Sequence, residues 1–445
     1  MALETEYGVP AVAVHADAFA RLVDSVLRAN GMPAARRAYV PTPVMARTPA
    51  QLRAYIEGDD PVRRRPFMAE VLDALTQAAS DGDGGPVEHD RSSPRLLEPD
   101  TEDNLHRHFR DNGWTDYLPI VLPTEERVEA MLAGTSHAPD EVVGKLQPTN
   151  YRELWEFTVE KVAVNAVMAG AEPSYLPVIL ALASTGITAR NSSTSSIAAM
   201  AMVNGPIRDE IGMNSGLGAL GPYSHANATI GRAYGLLSTN LQGGSVPGVS
   251  YMGCQGNALA YSSVTFAEHE EASPWVPYHV QHGFSPDESA VTAFVTWGNV
   301  WTEGLREHWE DKIRSMLAGI DPFLGTILAL SPIVAAELAG LGFDTKERLI
   351  DWVHENVRTP ARLYWNHYAA QTFIREDAMN GIEPFAGYYE APPDELLPVF
   401  SKDKIDVVVV GGRTNAQWSA FIGSRLDRRY WAPGVRTTVS VDAWR

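Results

Sequence analysis

The chain has 445 residues and carries 55 acidic against 36 basic side chains, a formal net charge of -19. This length predicts two or three domains, and the acidic excess argues against a main role in binding nucleic acid or anionic membranes. A single cysteine, Cys254, excludes an internal disulfide and a multi-thiolate zinc site, and we expect a cytoplasmic protein with neither a membrane span nor a cleaved leader.

Residues 1–76 predict a small α/β domain. The run VPAVAV at 9–14 is typical of a buried strand, and residues 17–29 have apolar side chains at helical spacing. Further helices are predicted at 50–55 and 66–75. This block is electrically neutral, so the rest of the chain carries the whole acidic excess.

Residues 77–101 are rich in Gly, Asp, Ser and Pro and predict a linker. Residues 102–445 predict a large α/β domain with a central parallel or mixed sheet. Its predicted helices are 124–133, 159–169, 176–183, 302–316, 332–341, 346–356 and 360–374. The β-branched run 405–410, followed by two glycines, predicts a central parallel strand that enters a loop on the ligand side.

The segment 204–256 is the densest in glycine and polar side chains. Such a segment suits an anionic or carbonyl ligand held on backbone amides, and the alternative is a set of tight turns. Candidates for substrate binding here are Asn204, Arg208, Asn214, Ser215, Asn227 and Arg232. The patterns GxGxxG and GxxxxGK[ST] are both missing, so no nucleotide cofactor is indicated.

A possible nucleophile is Cys254, in MGCQG, where the neighbouring glycines permit access. His225, a catalytic candidate, or His269 could favour its thiolate form if folded close by. The alternative for Cys254 is a small buried apolar side chain. Asp116 precedes a strand bounded by prolines and is a candidate for substrate binding or for capping a turn.

Glutamates and histidines are dense in AEHEEASPWVPYHVQHGF, where they could act as general acid and base or bind a metal ion. The candidates are Glu268, Glu271 and His279 for catalysis, and His269, His279 and His282 for a metal. The zinc-protease pattern HExxH is missing, and two prolines break any helix between the groups. The alternative is a solvated acidic loop with one or two hydrogen-bonded core histidines.

Several long strings across residues 105–425 resemble bacterial proteins related to the UGSC-motif (seleno)proteins, and through them selenoprotein B of glycine, sarcosine and betaine reductase. They include GWTDYLPIVLPTEERVEAML, TVEKVAVNAVMAGAEPSYLPVIL, VNGPIRDEIGMNSGLGALGP and AEHEEASPW. The resemblance implies attack by a thiolate or selenolate on a small polarised substrate, with a C–N, C–S or related bond cleaved or formed. Ala171 departs from it, since many relatives are expected to have cysteine there.

Residues 3–43 resemble the part of a UGSC domain that follows its redox motif, a loop of selenocysteine or cysteine, Gly, Ser and Cys. The chain begins at Met1, after the place of that loop, so we expect its first strand to lack neighbours. Buried unpaired backbone groups cost about 1–3 kcal/mol each. We therefore expect a small partner subunit to supply the missing strand, helix and thiol motif, giving a hetero-oligomeric enzyme of oxidoreductase or lyase type.

Two alternatives stay open. The first is a self-contained hydrolase or lyase that uses Cys254 or a metal ion bound by histidines and glutamates. The second is a non-catalytic scaffold or binding subunit, in which the acidic body holds a partner. The identity of any cofactor is open in all three cases.

Overall fold

The computed structural model describes residues 2–5, 7–29, 32–44, 47–77, 95–145, 156–190, 194, 196–241, 246–248, 251–304, 308–322, 324–368, 370–423 and 436–445. The predicted linker, 77–101, lies mostly outside these residues. The fold is mixed α/β, which confirms the predicted class. Within the described ranges, no helix combines the length and the apolar character needed to cross a membrane.

The strands form one large sheet and three separate pairs. They are β1 (Ala13–Ala16), β2 (Arg37–Val40), β3 (Val142–Lys145), β4 (Glu156–Thr158), β5 (Ala198–Asn204), β6 (Thr265–Ala267), β7 (Ala290–Glu303), β8 (Gly325–Leu330), β9 (Arg358–Pro360), β10 (Leu396–Pro398), β11 (Ile405–Val409), β12 (Gln417–Gly423) and β13 (Arg436–Ser440).

Helices occur along the whole chain. They are α1 (Ala2–Thr5), α2 (Ala20–Ala29), α3 (Pro49–Glu57), α4 (Phe67–Thr76), α5 (Glu102–Asp111), α6 (Glu125–Leu132), α7 (Val159–Ala169), α8 (Leu176–Ser184), α9 (Ile207–Glu210), α10 (His225–Asn240), α11 (Tyr278–Gln281), α12 (Trp309–Leu317), α13 (Pro332–Gly340), α14 (Lys346–Asn356), α15 (Ala361–Tyr364), α16 (Arg375–Met379) and α17 (Phe385–Glu390). Short 3-10 turns and a π-helical segment, Ala370–Ile374, lie between them.

Within the described residues, the large sheet has seven strands in the order β11-β8-β12-β7-β5-β6, with β13 also paired to β7. The pairs β11/β8 and β5/β6 are parallel, and the other pairs are antiparallel. The sheet is therefore mixed. Strand β11 is parallel to its neighbour as predicted, but it stands at one end of this order, so its predicted central position is wrong.

The sheet curls until its two end strands approach each other. The amide of His269, just after β6, donates to the carbonyl of Val409 at the end of β11, 2.8 Å away. The enclosed face is apolar and carries Met200, Phe266 and Phe421, among others. Strand side chains alternate between faces, so the other face packs on α7, α8 and α10 over one half and on α12, α13 and α14 over the other.

Local signals in the sequence explain the helices behind the sheet. Helix α7 begins after Thr158, whose side chain accepts a hydrogen bond from the amide of Lys161, and it ends at Gly170 with a φ of 81°. Helix α10 begins after Ser224, which caps the amide of Asn227. Helix α8 is apolar on all sides and is buried from Leu176 to Ala183, as such a helix must be.

The N-terminal part contains one parallel pair, β1 with β2, and helices α1 to α4. The strand predicted at 9–14 is displaced to Ala13–Ala16, and the prediction that it is buried is wrong, because Val14 is 50% exposed. The buried strand is β2, where Ala38 and Tyr39 are covered. In the part that the structure describes, β1 pairs with β2 alone.

Two helix predictions in the body are wrong in extent. Strand β7 continues to Glu303, and α12 begins only at Trp309, because the second half of β7 pairs with β12 from far along the chain. The helix predicted at 360–374 is interrupted, with α15 ending at Tyr364. The first error comes from a tertiary contact that overrides a local helical pattern.

Candidate functional site

The candidate site begins where the parallel neighbours β5 and β6 end. Asn204 is the last residue of β5, and Glu268 follows β6 directly. The side-chain amide of Asn204 donates to Glu268 Oε2 at 2.6 Å and to Glu270 Oε1 at 2.9 Å. The backbone amide of Gly205 donates to the same oxygen of Glu270 at 2.9 Å. Strand ends and carboxylates are therefore joined into one network.

Arg208, on the short helix α9, donates hydrogen bonds to three groups of this network. Its Nη1 donates to the carbonyl of Glu268 at 2.9 Å, its Nη2 to Glu271 Oε1 at 2.7 Å, and its Nε to the carbonyl of Gly205 at 3.0 Å. Burial alone would lower the pKa of this guanidinium, but the carboxylates of Glu271 and Glu270 raise it overall. All three nitrogens have partners within the chain, so Arg208 holds the loop 268–271 in place.

Lys346 neutralises the deepest carboxylate. Its Nζ lies 2.9 Å from Glu268 Oε1, and the two side chains are 1% and 0% exposed. Glu268 Oε2 also accepts from the amide of Tyr278 at 2.7 Å. Sequence reasoning missed Lys346, which lies 78 residues from Glu268. One signal was available, because a lysine on the first residue of a helix opposes the helix dipole and needs a local anion.

His279 lies on α11, is fully buried, and has a ring Nδ1 3.9 Å from Glu270 Oε1. Neither of its ring nitrogens has a hydrogen-bond partner in the described chain, and the same holds for the side-chain oxygen of Asn204. Buried polar atoms are paired in most proteins. These atoms therefore mark the place where the network can still bind a polar group or exchange a proton.

A second buried set joins this network to the far strands of the sheet. The phenol of Tyr278 donates to Asp406 Oδ1 at 3.0 Å, and Arg436 contacts both the phenol oxygen and the same carboxylate. Asp406 lies on β11 and Arg436 on β13. Tyr278 thus connects the loop after β6, through its amide, with two other strands, through its hydroxyl.

The three histidines predicted as metal ligands contact different groups. His269 Nδ1 lies 3.0 Å from the carbonyl of Gly411, and His282 Nδ1 lies 2.8 Å from the carbonyl of Tyr278, on whose ring it also stacks. His279 is buried beside Glu270. Among the residues that the structure describes, no group of three or more His, Cys, Asp or Glu side chains is arranged to hold a metal ion.

Asn214 and Ser215 lie in a loop beside the site, and Asn227, on α10, contacts this loop. The side chain of Asn227 accepts from the amide of Asn214 at 3.0 Å and donates to its carbonyl at 2.9 Å. The carbonyl of Ser215 accepts from the amide of Gly411 at 2.8 Å. Asn227 thus shapes the loop with its own hydrogen bonds, and the loop reaches the end of β11.

Arg232, on α10, pairs with Asp116 in the segment before α6, and His225 is the first residue of α10. Arg232 binds Asp116 through two hydrogen bonds of 2.9 and 3.0 Å and donates a third to the carbonyl of Pro119. His225 is exposed and lies 3.3 Å from the hydroxyl of Tyr175. These contacts fasten chain segments together, and a role in substrate binding or catalysis stays a prediction for all three.

Cys254 is a free, exposed cysteine, and its amide donates to the carbonyl of Thr194 at 3.1 Å. The alternative prediction of a buried apolar cysteine is therefore wrong. The described residues show no hydrogen bond between this thiol and a histidine.

Comparison with known proteins supports one part of the sequence interpretation. Residues 1–59 match the model of the UGSC family. A search of curated proteins found no match to the chain. The family resemblance is therefore shown for the N-terminal segment, which contains α1 to α3 and the β1/β2 pair.

Proposed function

We propose that this chain is the large subunit of a heteromeric, thiolate-dependent cytoplasmic enzyme, related to the B component of the glycine, sarcosine and betaine reductases. A small partner subunit brings the sulfur nucleophile, and a small polar substrate undergoes cleavage or formation of a C–N, C–S or related bond. The observation that carries the proposal is the incomplete β1/β2 pair in the segment that matches the UGSC family.

A two-stranded sheet is marginally stable in water, and parallel strands are normally covered on both faces. Here β1 pairs only with β2 among the described strands and leaves Val14 half exposed. Tyr7 and Val9, just before it, are 70% and 48% exposed. The free edge of β1 can accept a further strand, the common mode of adding a peptide to a sheet. The segment also contains no cysteine, so a thiol must come from elsewhere.

The body supplies the other half of the proposed enzyme. Glu268, Lys346 and Arg208 of its network are buried and the Glu270 side chain is 12% exposed, so these charges act in a medium of low polarity, where they are strong. Fixed charges of this kind stabilise charge that develops on a substrate. His279 lies beside Glu270 in the same network, and neither of its ring nitrogens has a hydrogen-bond partner among the described residues.

The test is co-expression of the tagged full-length chain with its flanking genes, followed by hydrogen exchange. Amides of β1 should exchange rapidly in the chain alone and become protected by at least about tenfold in the complex, because an added strand supplies partners. Strand β5, buried throughout, is the internal control. The partner must carry a cysteine that iodoacetamide labels. A chain that binds no such polypeptide, and whose β1 is already protected, contradicts the proposal.

A Cys254→Ser variant separates this proposal from a self-contained enzyme. Because the nucleophile belongs to the partner, the variant complex should keep its full activity. Total loss of activity would instead assign the nucleophile to the exposed thiol of this chain.

A further inference from the structure

Three loops meet around His269. Its amide donates to the carbonyl of Val409, and its ring Nδ1 lies 3.0 Å from the carbonyl of Gly411, so both the backbone and the side chain are fixed on the end of β11. The amide of Gly411 in turn donates to the carbonyl of Ser215. The ring of His269 is therefore held at the junction of the loops 214–217, 268–271 and 411–413.

The contact with Gly411 determines which ring nitrogen of His269 carries the proton. A carbonyl oxygen can only accept a hydrogen bond, so Nδ1 must be the donor. In the neutral ring Nε2 is then an unprotonated acceptor. Nε2 has no hydrogen-bond partner among the described residues, and the residue is only partly buried. The fold thus presents a base of fixed orientation to the junction.

Glu271, two residues after His269, is fixed on the same loop by Arg208. Its carboxylate is held by Arg208 Nη2 at 2.7 Å, and the pKa of Glu271 is lowered first by that hydrogen bond and further by its interaction with His269. The carboxylate therefore stays ionised near the imidazole.

The neighbouring histidines are less suited to this task. His279 is fully buried, so a group arriving from outside cannot reach it. His282 stacks on Tyr278, with ring centroids 4.2 Å apart, and its Nδ1 contacts the carbonyl of the same residue. His269 instead combines a fixed tautomer with a position at the junction of the three loops.

We propose that His269 is the general base that activates the partner's thiol, an inference that rests on the proposed function. The proton of the thiol passes to Nε2, and the resulting thiolate attacks the substrate carbon. As the sulfur–carbon bond forms, the bond from that carbon to its leaving group breaks, and the leaving group takes the proton from Nε2. The ring returns to its neutral form, and the step needs no oxidant or reductant.

The first test uses the intact chain alone. Nitrogen-15 NMR of the imidazole at high pH should show the Nδ1–H tautomer for His269. Acylation by diethylpyrocarbonate should modify its Nε2 within about tenfold of the rate at the exposed His308, because both offer an accessible lone pair, and should leave His279 intact. An Nε2–H tautomer, or a ring that resists acylation, overturns the assignment.

The second test uses the complex with its thiol-bearing partner. Alkylation of the partner's cysteine by iodoacetamide at neutral pH should slow by about 100-fold in His269→Gln, the low end of what general-base catalysis contributes. The control is His106→Gln, on the surface helix α5, which should leave the rate unchanged. An unchanged rate in His269→Gln overturns the assigned base. Failure to form any complex overturns the proposed function instead, while the tautomer result still stands.

Discussion

The N-terminal segment and the body differ in how they bury their apolar side chains. Strand β5 in the body is buried at all seven residues, and the curled sheet has apolar cores on both faces. Among the residues of 7–77 whose burial the structure describes, the buried apolar side chains are Leu22, Val23, Ala35, Ala38, Tyr39 and Phe67. The large apolar side chains left exposed there are Tyr7, Val9, Val14, Val44, Ile56, Val62, Met68, Leu72 and Leu75. The same α/β pattern thus gives a closed core in one region and an open one in the other.

The two regions also use buried carboxylates differently. In the N-terminal segment Asp60 is fully buried and accepts hydrogen bonds from the amides of Tyr39, Val62 and Arg63, each at 2.8 Å. In the body Glu268 is paired with a buried lysine. Backbone amides fix the shape of a loop, whereas an ion pair links segments that are distant in the chain. The comparison leads to four predictions, from the largest expected effect to the smallest.

Replacing Lys346 with methionine should lower the free energy of unfolding of the body by about 3–5 kcal/mol, because the carboxylate of Glu268 then stays buried without a counter-charge. Urea titration followed by tryptophan fluorescence measures this. The control is Arg348→Met, whose exposed pair with Asp344 contributes less than about 1 kcal/mol. Equal effects of the two variants would show that the buried pair does not hold the body together.

Replacing Arg232 with glutamine should destabilise the body by about 2 kcal/mol, because Asp116 is 4% exposed and loses a charge-assisted pair of hydrogen bonds. Differential scanning calorimetry is the measurement. A variant with unchanged thermal stability but weakened substrate binding would instead support the role predicted for Arg232 from the sequence.

Replacing Asp60 with alanine should cost about 2 kcal/mol within the N-terminal segment, since one buried and two partly buried amides lose their acceptor. Hydrogen exchange at the amide of Tyr39 should accelerate by about 30-fold, which is the same energy expressed as a rate. Exchange in β5 should not change. Faster exchange in both regions would show that the two regions unfold together.

Replacing His137 with glutamine should have a small effect that depends on pH. Hydrogen bonding to Glu141 raises the pKa of His137, whose other ring nitrogen contacts the carbonyl of Ala443. A raised pKa contributes stability that is full below the ordinary value of 6.5 and is lost as pH rises through the raised value. The wild type should therefore exceed the variant by less than about 1 kcal/mol at pH 5.5, and by nothing at pH 9. A difference that grows with pH contradicts this.

Local patterns predicted much of the body. The capping threonine and terminal glycine of α7, and the β-branched run of β11, are read directly from neighbouring residues. The length of β7 was missed because its second half is a strand only through its pairing with β12, which lies more than 100 residues away.

The candidate site shows the same contrast between residues that local patterns indicate and residues that only distant contacts bring together. The sequence indicated Asn204, Arg208 and the glutamates after β6, since dense polar residues at strand ends are visible locally. It did not indicate Lys346 or the carbonyl of Gly411, which reach the site only through the curl of the sheet. A glycine carbonyl leaves no side-chain signature, so the orientation of His269 could be recognised only from coordinates.

Strand β7 is a single continuous strand of 14 residues that runs through both halves of the large sheet. Its first half pairs with β5 and β13 and its second half with β12, and the exchange occurs at the fully buried Thr296. The hydroxyl of Thr296 donates to the carbonyl of Ile422, where the register shifts. Cutting the chain near Thr296 would divide β7, the strand that both halves of the large sheet share. The body therefore cannot be divided there into two fragments that fold independently.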